Sequence, residues 1–118
     1  MMQEKRRFVR SDGLVLVDYR GTKIEGKCSA FDVSGVGVRL IIDKKLDMGA
    51  AVEIELYLPG DSQALSAKGK VVWVQKCRET EESEHEKRKE FFYIGIEFDE
   101  IEEKNRKRIT GYVYRRTH

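Results

Sequence analysis

The sequence predicts a small, mainly β domain: an antiparallel barrel or sandwich covered by one C-terminal helix. Three observations predict it. Six short runs rich in β-branched and aromatic residues are separated by turn-sized gaps. The apolar period changes from two to the helical value near residue 100. Finally, 118 residues with 40% apolar content and one proline suffice for one hydrophobic core and leave no room for two. Closing the sheet suits so short a chain, because closure hides edges that would otherwise pair with a neighbour.

Residues 1–12 stand apart. Lys5, Arg6, Arg7 and Arg10 against Glu4 and Asp12 make a short basic arm, read as flexible, ahead of a single domain over 13–118. Residues 14–19 form the first strand, and Arg20-Gly21-Thr22-Lys23 turns into a second over 24–33. In the third, 36–42, Val36, Val38, Leu40 and Ile42 alternate with Gly37, Arg39 and Ile41. The clearest alternation sets Val52, Ile54, Leu56 and Leu58 against Ala51, Glu53, Glu55 and Tyr57, a strand with one wet face. Pro59-Gly60-Asp61 ends it with turn chemistry. The fifth strand, 65–75, carries Trp73; the sixth, 91–98, places Phe92, Ile94, Ile96 and Phe98 on one face. Between them, 78–90 is almost free of apolar residues and reads as a solvated hairpin loop.

The helix is expected over about 100–116, with Ile101, Ile109, Tyr112 and Val113 on one stripe. Asp99 is the candidate N-cap, and Glu102 completes a capping-box-like arrangement. Glu102 and Glu103 sit at the positive end of the helix dipole, Arg115 and Arg116 at the negative end.

Composition narrows the function. No apolar run reaches the ~18 residues of a membrane span. Met1-Met2-Gln3-Glu4-Lys5-Arg6-Arg7 lacks the apolar core of a signal peptide, which sets the expectation of a cytoplasmic protein. With Lys+Arg 23 against Asp+Glu 21, a protein that coats DNA by bulk charge is not expected. Cys28 and Cys77 lie far apart, with only His85 and His118 to join them, so neither a disulfide framework nor a metal site is expected. No phosphate-binding glycine loop and no nucleophile–base–acid set is present, so binding is expected rather than catalysis, with no cofactor.

Two local features rise above this background. Arg6 and Arg10 are four apart and point to roughly the same side of an arm, about 13 Å apart if it is extended. That spacing straddles a planar, anionic ligand. The guanidinium fork bonds phosphate or guanine with parallel donors, and its flat face stacks on a base. Asp32 and Ser34 are two apart, expected on one face of a strand, where a carboxylate accepts the paired N–H donors of a guanine edge. The Ser34 hydroxyl either meets ligand or caps the turn, and Gly35 and Gly37 allow a tight turn.

The pair Arg6-Arg7-Phe8-Val9-Arg10 and Asp32-Val33-Ser34-Gly35-Val36-Gly37 resembles the two-part motif of the PilZ domain family, bacterial receptors for cyclic di-GMP. Gly69-Lys70-Val71-Val72-Trp73, Ile94-Gly95-Ile96-Glu97-Phe98 and the terminal helix extend the likeness over nearly the whole chain, as in a stand-alone domain. The resemblance implies a six-stranded antiparallel β-barrel with a C-terminal α-helix. It implies that Arg6 and Arg10 contact phosphates and stack on guanine, that Asp32 and Ser34 hold guanine edges, and that Gly37 shapes the turn. Arg7 belongs to the same basic cluster. The implied partners are cyclic di-GMP and an unidentified effector protein that reads the ordered arm.

Trp73 reads first as a barrel-wall or helix-packing aromatic, with a stacking surface at the ligand rim as the alternative. Arg39 either supports the anionic site or is an exposed charge. Two other functions stay open: an adaptor of this family that binds no nucleotide, and a nucleic-acid binder using the arm with Lys104, Arg106, Lys107, Arg108, Arg115 and Arg116. The acidic stretch at 79–86 opposes the second.

Overall fold

The computed structural model describes residues 15–77 and 90–117. The basic arm and most of the acidic hairpin loop lie outside the described residues. Strands β1 (Val15–Arg20), β2 (Glu25–Val33), β3 (Gly37–Ile42), β4 (Ala51–Tyr57), β5 (Leu65–Lys76) and β6 (Phe92–Ile101) precede helix α1 (Glu103–Thr117). All pairings are antiparallel, and the order β1-β2-β3-β6-β5-β4 closes through the β1–β4 pairing. The predicted six-stranded antiparallel barrel with one C-terminal helix is what forms.

The period-2 pattern sets the inside. Val17, Leu40, Ile54, Leu56, Leu65, Val71 and Ile94 are among the most deeply buried side chains. On β4, Val52, Ile54 and Leu56 point in while Glu53 and Glu55 stay wet, and Leu58 is buried just beyond the strand. The turn that follows closes with Asp61 N donating to Leu58 O (3.0 Å) and Gly60 at φ 84°, a backbone region glycine enters without penalty. Val36 departs from its predicted place: it sits in the β2–β3 turn, 67% exposed, and β3 begins at Gly37.

The helix begins later than predicted. Ile101 belongs to β6, paired with Ala67, and Asp99 is an extra residue between the pairs Gly69–Phe98 and Lys68–Glu100. The long β5 offers backbone partners to these positions, and that pairing overrides the cap chemistry of Asp99. The capping position falls on Glu102, whose carbonyl accepts from Asn105 N (2.9 Å) and Arg106 N (3.0 Å). Ile109 and Tyr112 fill the core, with Val113 packed against it. Arg108 ties the helix to the β4–β5 connection through Asp61 Oδ2 (2.8 Å), and buried Asn105 donates to Ser66 O (3.4 Å) and accepts from Arg108 (3.1 Å). Among the described residues, no helix is long and apolar enough to cross a membrane.

Candidate functional site

Asp32 owes its direction to a bulge. Ala30 pairs with Leu40, and both side chains are buried in the core. Asp32 pairs with the next residue of β3, Arg39, so Phe31 is an extra residue on β2. In an uninterrupted strand, residues 30 and 32 would both face the core. The inserted residue instead turns Asp32 out beside Arg39.

β5 carries the matching device. Val71 pairs with Ile96 and faces the core, whereas Trp73 pairs with Gly95, which leaves Val72 as the extra residue. Beyond it Val74 takes the inward direction opposite Ile94, and Trp73 turns outward, half-buried. Trp73 is therefore an aromatic of the barrel wall that faces outward, not into the core. A Cβ on Gly95 would lie 2.5 Å from Trp73 Nε1, so the indole rests on bare backbone.

Together the pairings Asp32–Arg39, Arg39–Gly95 and Gly95–Trp73 draw one row across four strands. Three strand spacings separate Asp32 from Trp73, about 14 Å measured along the curved wall. Arg39 stands between them: its Nε is 3.6 Å from Asp32 Oδ2 and its Cζ is 5.8 Å from the Trp73 ring centroid. The row floors a groove of about 310 Å³, whose walls include Ser34, Val36, Gly37 and Glu97. Asp32, Ser34 and Gly37 are thus brought together, while Arg6, Arg7 and Arg10 lie outside the described residues.

Ser34 sits one residue past the end of β2 rather than on a strand face with Asp32. Its hydroxyl accepts from Val36 N (3.2 Å) and donates to Gly37 O (3.4 Å), while its own N–H donates to Gly37 O (2.9 Å). These bonds cap the turn. Phe98 N donates to Val36 O (2.8 Å) and fastens the turn to β6. Gly37 acts by close approach: a Cβ there would run into the Ile96 carbonyl oxygen. A Cβ on Gly35 would meet Thr110 Cγ2 at 3.0 Å, so the turn also leans on the helix.

A wider, open cleft of about 1110 Å³ lies over β1 and β4 and reaches the helix. Its charges are largely spent on one another: Arg20 Nη2–Glu53 Oε1 at 3.1 Å, Lys27 Nζ–Asp18 Oδ1 at 3.0 Å and Lys68 Nζ–Glu100 Oε1 at 3.8 Å. Tyr57 donates to Asp18 Oδ2 (2.9 Å) and Glu55 Oε1 (3.2 Å). The bond to Asp18 pushes the phenol up to about 12, and bonds from Lys27 and then Tyr57 hold the Asp18 carboxyl below its usual range. The larger volume is a solvated face lined by these ion pairs. Burial, followed by the nearby Asp18 and Asp43 charges, pushes the Cys28 thiol up to about 12, so it stays protonated near neutrality.

Sequence reasoning left Arg39 and Trp73 undecided. The signal that could have found Trp73 was the run Val71-Val72-Trp73-Val74, where the strict alternation of β5 breaks.

The sequence model of the PilZ domain matches residues 4–115. Among solved structures, the chain is similar to the Bacillus subtilis inhibitor of motility MotI/DgrA, with a TM-score of 0.69 at 16% identity. That likeness, one of fold, covers 97% of this chain and 52% of the other, so the chain spans about half of that protein's length. No curated protein matches the sequence. With a family match over almost its full length, a closed six-stranded ring followed by one helix, and the Asp32–Gly37 turn set beside an outward-facing groove, the chain belongs to the PilZ domain family.

Proposed function

We propose that the chain is a receptor module for cyclic di-GMP and not an enzyme. The observation that carries this reading is the row Asp32–Arg39–Gly95–Trp73, which sets a carboxylate and an indole on opposite sides of one groove. A guanine base offers each of them a partner: paired N–H donors for Asp32 and a flat ring for Trp73.

The arm is tethered within reach. Residues 1–14 join the barrel at Val15, which pairs with Ala30, two residues before Asp32. Arg10 lies five residues and Arg6 nine residues from Val15, giving reaches up to about 17 and 30 Å. Both exceed the ~14 Å of wall between Asp32 and Trp73. Arg6 and Arg10 clamp the phosphates and stack on guanine, with Arg7 in the same cluster. Asp32 holds the guanine edge, and Ser34 and Gly37 keep the turn that presents it. The anionic ligand neutralises the arginines and draws the arm onto the barrel, which changes the surface shown to an effector protein.

Titration calorimetry with cyclic di-GMP tests the reading. Arg10→Ala and Asp32→Ala each remove charge-assisted hydrogen bonds of about 1.5–3 kcal/mol and should weaken binding by about ten- to a hundredfold or more. Circular dichroism should stay unchanged. Unaltered affinity in both variants refutes the site.

A further inference from the structure

We infer that Arg39 is a built-in competitor for the guanine site. Its guanidinium stands between Asp32 and Trp73, with Nε 3.6 Å from the Asp32 carboxylate and Cζ 5.8 Å from the indole centroid. Those are the two groups that the receptor reading assigns to a guanine base, and the inference rests on that reading.

The mimicry is chemical. A guanidinium is planar, carries parallel N–H donors and stacks on aromatic faces. The N1–C2–N2 edge of guanine is itself a guanidine fragment, with the same donor pair and the same flat face. With one ion pair to Asp32 and one ring contact to Trp73, Arg39 stands where the base would lie, and the base enters as the arginine leaves. Register enforces the position: Arg39 pairs with Asp32 on one side and with Gly95 on the other, and Gly95 has no side chain to separate it from the indole.

The competition is graded. Arg39 and Asp32 side chains are 53% and 55% exposed. An exposed ion pair and an exposed cation–π contact are each weak, so together they raise the ligand concentration needed without closing the site. Releasing them should tighten binding by about three- to tenfold. A supporting arginine would act with the opposite sign, since its loss would weaken binding.

The test titrates cyclic di-GMP into the wild type, Arg39→Met and Arg39→Lys, followed through Trp73, the one tryptophan of the chain. Methionine keeps an unbranched stem but removes charge, plane and donors; lysine keeps the charge and loses the plane. Arg39→Gln provides a second neutral variant, and circular dichroism checks the fold. The expected result is binding three- to tenfold tighter in Arg39→Met and Arg39→Gln, with Arg39→Lys in between. Binding by the neutral variants alone would also support the competition. Equal or weaker binding in the neutral variants, with the wild type binding, overturns the role of Arg39 and leaves the receptor reading standing. No binding by any of them overturns both.

Discussion

Gly95 and Trp73 face each other across the β5–β6 pairing, and the indole lies so close that a single added methyl at 95 would stand 2.5 Å from Nε1. Gly95→Ala must lift or swing the ring away from Arg39. Because the clash is with a side chain on the outer face, stability should fall by no more than about 1–3 kcal/mol. Trp73 emission should move to longer wavelength, and its quenching by iodide should rise. An unchanged spectrum would contradict the packing described.

Gly37 answers to backbone rather than side chain. A Cβ there meets the Ile96 carbonyl oxygen in a paired strand, which cannot move aside without breaking the β3–β6 register. Gly37→Ala should cost about 1–3 kcal/mol, read from urea unfolding as a lower midpoint at constant slope. A midpoint equal to the wild type would count against this role.

Ser34→Ala separates the turn from the ligand. The hydroxyl's bonds to Val36 N and Gly37 O are internal, so its removal should lower stability by about 0.5–1.5 kcal/mol. Affinity for cyclic di-GMP should drop less than in Asp32→Ala. An affinity loss equal to that of Asp32→Ala, at full stability, would give Ser34 a direct ligand contact instead.

Alkali should destabilise the protein through Cys28. Its thiol ionises near 9 when unfolded but at about 12 in the fold, where burial favours the neutral form. The stability this provides is fully present below about pH 9 and is lost as pH rises toward 12. Denaturation midpoints measured from pH 8 to 11 should fall in the wild type and fall less in Cys28→Ala. Parallel declines would assign the effect elsewhere, with Tyr19 and Tyr57, both raised above their usual 10, as the next groups to test.

How far the sequence could be read follows from where the information is local. Val52, Ile54 and Leu56 announce their face by alternation, and Ile109 and Tyr112 announce the helix by theirs. Asp32, Ser34 and Gly37 stand in one short motif. The extra residues Phe31, Val72 and Asp99 are different. Whether a residue is inserted or paired is decided by the partner strand, so Asp99 reads as a cap when it is a bulge in β6. The same reason hid Trp73 and Arg39. Their meeting depends on the registers of β2, β3, β6 and β5 together, which no single stretch of chain records.

Closure of the ring β1-β2-β3-β6-β5-β4 has a consequence for how another protein could meet the domain. Among the described residues every strand has a neighbour on both sides, so no strand is an open edge along its whole length; only overhangs such as Trp73–Lys76 on the β4 side of β5 lack a partner strand. A protein docking on this wall would therefore meet mainly side chains and shape on the outside of the cylinder or along α1. Its specificity can therefore be rewritten by surface substitutions that leave the interior untouched.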